Sequence, residues 1–286
     1  MEPLLVLVAL VSAFFFALSL VLTPFALRGA GPLVGGSISV PTSAILFLAL
    51  SPLTVDWSAW AMPGAAIFVA TGALFPAAVT LLSFASNRHN GPNLTGAMGN
   101  LSPIFAIAIA AVIFGDVPRL TQIVGIVALI GGLTLLALER SRAVPRAALL
   151  FLALPVLSAM IRGGVQPSIK LGMESWPDPF AAVTIGYVMS ALVLWGVRLG
   201  VAPRGVAVGR GALWYVPVGL CNGAAVLLLY NALSLGPVTM VAPIVATYPI
   251  FTLVLDRLIH RGRPLTLATV AGVAISVCGI AVVLAT

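Results

Sequence analysis

The chain has 286 residues, of which 61% are hydrophobic and only 7% charged, with a mean hydropathy of +1.18 and a net charge of +7. So little charge cannot cover the surface of a soluble domain of this length, and that class is excluded. The basic balance does not point to nucleic acid either, because the arginines stand in short loops between apolar runs and form no cluster with interleaved aromatics.

A helix that crosses a hydrocarbon core about 30 Å thick needs about 20 apolar residues. Apolar runs bounded by Gly, Pro or charge predict ten such spans, at 3–27, 34–51, 63–85, 92–114, 120–138, 147–171, 179–199, 213–234, 238–259 and 266–285. Barrel strands would be shorter and would alternate in polarity, so the predicted class is all-α and membrane-spanning. The first span has no basic stretch ahead of it and is expected to be a retained helix, not a cleaved signal. It carries Pro24 and the run Phe14, Phe15, Phe16, of which one or two rings can face a cavity while the rest pack. Trp57 and Trp60 after span two, with Trp176 after span six, fall on one side and are expected in an aromatic belt. Span three holds the hydroxyls of Thr80 and Ser83.

Span four has Pro103 at its centre, with Asn100 and Ser102 within one turn, and span nine has Pro249 directly after Thr247 and Tyr248. A mid-helix proline frees the carbonyl four residues earlier, here Gly99 and Val245, and kinks the helix. In a bilayer such a carbonyl is tolerated where it meets protein or a wet cavity. The polar neighbours favour a cavity over a plain packing kink. Span six carries Pro167, the amide Gln166 and Arg162, the one basic residue well inside a span. An intramembrane cation is costly and is a functional candidate by default. Arg162 can pair its planar fork with a substrate carboxylate, or it can snorkel or bond freed carbonyls, and both roles stay open. Asn222 in span eight also needs partners in hydrocarbon, as do Tyr187 and Tyr230 to a lesser degree. Cys221 and Cys278 form no metal or redox spacing and are expected to be small buried residues.

The order of these markers repeats. Pro24 corresponds to Pro167, Asn87 with Gly91-Pro92 to Asn231 with Gly236-Pro237, Pro103-Ile104-Phe105 to Pro249-Ile250-Phe251, and Gly125 with Gly132 to Gly272 with Gly279. The offset from Pro103 to Gly125 is 22 and from Pro249 to Gly272 it is 23. Residues 1–138 and 147–286 are therefore expected to be two five-helix repeats joined by 139–146. Because five is odd, the second repeat enters the membrane from the opposite side. Inverted repeats are the usual architecture of secondary transporters, with the solute site near the midplane between the halves.

The five-plus-five arrangement, the mid-helix prolines of spans four and nine, the glycine-spaced spans five and ten, and the step Phe114-Gly115-Asp116 resemble the drug/metabolite transporter superfamily. The EamA type is the best match over the whole chain, and within it the sequence is most similar to the YddG-like bacterial amino-acid exporters. The resemblance implies a central cavity and export of amino acids and related metabolites across the inner membrane. One element departs from it, since the second repeat reads Arg261-Gly262-Arg263 where the first has its Gly-acidic ending.

From these readings, the expected substrate-binding residues are Asn100, Ser102, Arg162, Thr247, Tyr248, Asn222 and Thr80, and the expected kink or gating residues are Pro103, Pro249, Pro24 and Pro167. No metal or cofactor is expected, and the protein is expected to work as a monomer among lipids on a small solute. The acids Glu2, Asp56, Asp116, Glu139, Glu174, Asp178 and Asp256 all avoid the depths of spans, Asp256 coming closest. Proton coupling through a buried carboxylate is thus disfavoured, and gradient-driven export fits better. A drug or cation pump of the superfamily would use such a carboxylate. A carrier of phosphorylated metabolites would want several buried Lys or Arg where Arg162 stands nearly alone. An intramembrane protease would need a deep Ser–His or Asp pair, which His89, His260 and the acids do not supply. One side of the membrane carries Arg28, Arg88, Arg140, Arg142, Arg146, Arg198, Arg204, Arg210, Arg257, Arg261 and Arg263; the side with both termini carries Arg119 and Lys170. We refer to these as the arginine side and the termini side. The positive-inside rule places the arginine side in the cytoplasm and the termini in the periplasm, whereas the resemblance implies cytoplasmic termini.

Overall fold

The computed structural model describes residues 3–99, 101–115, 117–141, 151–201, 209–260 and 266–284. Among the described residues all regular structure is helical, as hydrocarbon demands of a chain that must satisfy its own backbone. The helices are α1 (Pro3–Leu27), α2 (Pro32–Thr54), α3 (Met62–Leu74), α4 (Ala77–Gly99), α5 (Ser102–Phe114), α6 (Leu120–Ser141), α7 (Ala153–Ser175), α8 (Pro179–Val201), α9 (Tyr215–Leu235), α10 (Val238–Val245), α11 (Tyr248–His260) and α12 (Leu267–Leu284). They form the ten expected spans. Span three is α3 with α4 as far as Gly91, where φ is 75° and the helix turns back; span four is the rest of α4 with α5; span nine is α10 with α11.

The helix breaks follow the prolines, and each is repaired locally. Pro103 and Pro249 stand in the first turns of α5 and α11, so the breaks fall between Gly99 and Ser102 and between Val245 and Tyr248, at matching places in the two repeats. Pro24 and Pro167 are instead absorbed within α1 and α7. A break the sequence reading did not anticipate lies at Pro76, between α3 and α4. There Ser190 of α8 serves both freed groups: its hydroxyl donates to the Gly72 carbonyl, and it accepts from the Ala77 amide at 3.0 Å.

The packing obeys an inverted two-fold relation. Span one packs on span eight as span six packs on span three, while spans two and seven, and five and ten, each meet their own counterpart. The last pair shows the symmetry at atomic scale. A Cβ on Gly125 would lie 2.6 Å from the Gly279 carbonyl oxygen, and one on Gly132 would lie 2.5 Å from that of Gly272. The first glycine of one repeat meets the last of the other, as two antiparallel copies of one helix must. Only glycine lets these backbones touch.

Two sequence expectations change here. Trp176 does not sit in an interfacial belt: it is wholly buried, with Trp57, Trp60 and Phe68 around it at ring distances of 6.0, 5.1 and 6.0 Å. Trp57 and Trp60 remain exposed. Helix α7 runs past the predicted end of span six, and this carries Trp176 into the space between spans three and six. Cys278 is exposed rather than buried, because α12 is peripheral and buries only the stripe that meets α6; Cys221 is half-buried.

Candidate functional site

The mid-membrane break of α11, the first half of α7 and the second half of α1 converge on a cavity. It is narrow, with a cavity volume of about 50 Å³. Helix α1 contributes Phe16, Ser19 and Thr23, α2 contributes Ser39, α4 contributes Thr80, Ser83, Thr95 and Gly99, α7 contributes Ser158 and Arg162, α8 contributes Tyr187, α9 contributes Asn222, and α11 contributes Tyr248. In nearly every span these residues lie in the half nearer the arginine side, and Arg162, Tyr187 and Tyr248 form the inner end near mid-span. Beyond them, toward the termini side, the helices close on a continuous apolar core that includes Leu5, Ala9, Ala13, Leu229, Leu233 and Val241. The cavity is therefore walled off from the termini side.

Arg162 is half-buried and projects between two rings, its guanidinium carbon 4.8 Å from the Phe16 centroid and 5.7 Å from that of Tyr248. Cation–π contact of this kind contributes roughly 0.5–2 kcal/mol per ring and leaves the edge of the guanidinium plane available. Among the described residues no carboxylate or carbonyl engages it. The surrounding groups are mostly spoken for. Tyr187 donates to Asn222 Oδ1 at 2.9 Å, Ser83 and Ser158 pair at 3.1 Å, and Ser19 reaches the Val218 carbonyl at 3.2 Å. Ser39 Oγ is buried without a partner among the described residues. The site thus offers a cation with an open fork, a free hydroxyl, and aromatic walls. That set suits a small solute carrying a carboxylate, a hydrogen-bonding group and an apolar side chain.

Of the residues expected from sequence, Arg162, Tyr248, Asn222 and Thr80 line the cavity together. Ser102 and Thr247 are buried at the helix breaks but do not line it: Ser102 presents its carbonyl to Gly163, and Thr247 donates to the Ile244 carbonyl at 2.7 Å. Asn100, Asp116 and Arg261-Gly262-Arg263 lie outside the described residues. Asp256 is buried near the arginine-side end of α11, away from the lining. Sequence reading passed over Ser19, Thr23 and Ser39. The first two stand three and seven residues after Phe16 on one face of α1, a periodicity that marks them once Phe16 is known to face inward. Gly99, noted only for its carbonyl, has a second role, since a side chain there would overlap the Tyr248 hydroxyl.

Comparison with known proteins adds the following. The family model described as "EamA-like transporter family" matches the chain twice, over residues 3–138 and 147–285. No curated protein matches the sequence. One solved structure, described only as "Crystal structure of protein", superposes with a TM-score of 0.77 at 16% identity, covering 98% of this chain and 96% of that one. At that identity the likeness concerns the fold.

Proposed function

Because the chain belongs to the EamA-like transporter family, and is thus a multi-pass membrane transporter of small solutes, we propose that it exports neutral amino acids and related metabolites across the bacterial inner membrane, in the manner of the YddG-like exporters. The observation that carries this reading is Arg162, which stands in the cavity between Phe16 and Tyr248 with its fork unengaged among the described residues. A zwitterion places its carboxylate there and leaves the cavity electrically close to where it began. An organic cation would meet an uncompensated positive charge, and a phosphate ester would meet one cation where it needs several.

The two repeats, 1–138 and 147–286 with 139–146 between them, rock about the site as one monomer. With the arginine side in the cytoplasm, as the charge count places it, the cavity stands open to the side from which an exporter loads. Transport then follows the amino-acid gradient, since among the described residues no carboxylate lines the cavity to carry a proton. Counterflow in proteoliposomes tests this. Vesicles loaded with unlabelled neutral amino acid should concentrate labelled phenylalanine, methionine or threonine, and a protonophore should leave the rate unchanged. Failure of every amino acid, with uptake of an organic cation or a sugar phosphate instead, refutes the reading.

A further inference from the structure

Arg162, Tyr187 and Asn222 line the cavity together, each close to the midpoint of its span. Tyr187 is fixed in place: it is 1% exposed, and its ring meets Phe47 edge to face at 5.3 Å. The backbone that carries Asn222 is fixed as well, because α9 presses on α2 beside it. A Cβ on Gly223 would lie 2.7 Å from Ser43 Oγ and 3.1 Å from Phe47 Cζ.

The Tyr187 hydroxyl donates to Asn222 Oδ1 at 2.9 Å, and Asn222 makes no other hydrogen bond among the described residues. A side-chain amide has an acceptor end and a donor end, so a bond made by one fixes where the other points. With Oδ1 taken by the phenol, Nδ2 and its two N–H groups are left for the cavity that Asn222 lines. Arg162, across the same inner end, also has only donors to offer. Two sets of donors converging on one place suit a group with two acceptor oxygens, one for each. If the phenol bond were lost, the amide could turn and aim its own oxygen at that group.

We propose that Tyr187 is a positioning residue for the substrate carboxylate. Its hydroxyl holds the Asn222 amide with the donor end inward, and Nδ2 donates to the carboxylate oxygen while the Arg162 fork holds the same group from α7. This inference rests on the amino-acid reading of the Arg162 cavity.

The test is transport of labelled phenylalanine in proteoliposomes, with KM measured from the arginine side for the parent, Tyr187→Phe, Asn222→Leu and the double variant. Asn222→Leu removes the donor and should raise KM about ten- to a hundredfold. Tyr187→Phe keeps the amide but lets it turn. It should raise KM about three- to tenfold while the maximal rate changes by less than about twofold. In the double variant Tyr187→Phe should add nothing to Asn222→Leu, because no amide is left to orient. Competition supplies a further readout. Tyr187→Phe should weaken inhibition by phenylpropionate, which keeps the carboxylate, and leave inhibition by phenylalaninamide, which lacks it, within about twofold of the parental value. An unchanged KM in Tyr187→Phe, effects that multiply in the double variant, or equal weakening of both inhibitors overturns the proposal. Should Asn222→Leu not fold, Asn222→Asp replaces it under the same criteria, since it keeps an acceptor for Tyr187 and removes the donor. A parent that moves no phenylalanine instead sinks the amino-acid reading itself, so the two failures are distinct.

Discussion

Arg162 illustrates what a single residue can reveal from sequence and what it cannot. Its isolation in an apolar run marks it as a functional candidate, but the run alone leaves open whether it snorkels or faces a cavity. The rings of Phe16 and Tyr248 hold it at the cavity, and they come from helices that sequence cannot place beside α7. If Arg162 grips a carboxylate with both arms of its fork, Arg162→Lys keeps the charge and loses one arm. A hydrogen bond to a charged group contributes about 1.5–3 kcal/mol, so KM from the arginine side should rise about ten- to a hundredfold with the protein still folded. An unchanged KM would mean that charge alone is recognised. Gly99 makes a second prediction at this scale. Gly99→Ala drives a methyl group into the Tyr248 hydroxyl and must displace a ring that lines the site. Phenylalanine flux should fall more steeply than thermal stability, and a variant that transports at the parental rate shows that the ring moves freely.

At the scale of elements, the prolines and glycines were legible in the sequence because each acts through backbone geometry that holds wherever the residue stands. Pro103 and Pro249 break their spans at matching positions, and Gly125, Gly132, Gly272 and Gly279 meet in the order that duplication requires. What could not be read is which face of each helix looks inward, since these spans are apolar nearly all round. For that reason Ser102 and Thr247, adjacent to the breaks, were expected in the cavity and lie outside its lining, while Ser19 and Thr23 were overlooked. Cys278 is exposed for the same reason, whereas Trp176 is buried because α7 runs past the predicted end of its span. Removing either kink with Pro103→Ala or Pro249→Ala should slow counterflow severalfold, while stability changes by about 1 kcal/mol or less, because alanine restores a backbone hydrogen bond as it straightens the helix. Equal rates in parent and variants would reduce the prolines to packing devices. Gly279→Val should behave differently. It inserts a branched side chain where even a Cβ would lie 2.6 Å from the Gly125 carbonyl oxygen and should cost about 1–3 kcal/mol of stability, measured by thermal unfolding in detergent. A variant as stable as the parent would show that α6 and α12 can separate without loss.

The molecule as a whole is two copies of one five-helix unit inserted in opposite senses, with a cavity at the seam that reaches the arginine side and is closed toward the termini. The class and repeat were visible from sequence because hydropathy and marker order are one-dimensional properties. The state was not, because it depends on which half of the seam is packed. We propose, from the charge asymmetry, that the arginine side is cytoplasmic. A fluorescent or phosphatase fusion after Thr286 should accordingly report a periplasmic C-terminus; a cytoplasmic one reverses the direction in which the cavity faces and leaves the site chemistry as described. The claim on which the rest depends is that a solute carboxylate binds Arg162 inside this cavity. Counterflow of labelled phenylalanine by the parent and by Arg162→Ala, in parallel proteoliposomes and at matched folded protein, tests it most directly. The account predicts accumulation by the parent and none above empty vesicles by the variant. Equal accumulation by both would contradict it.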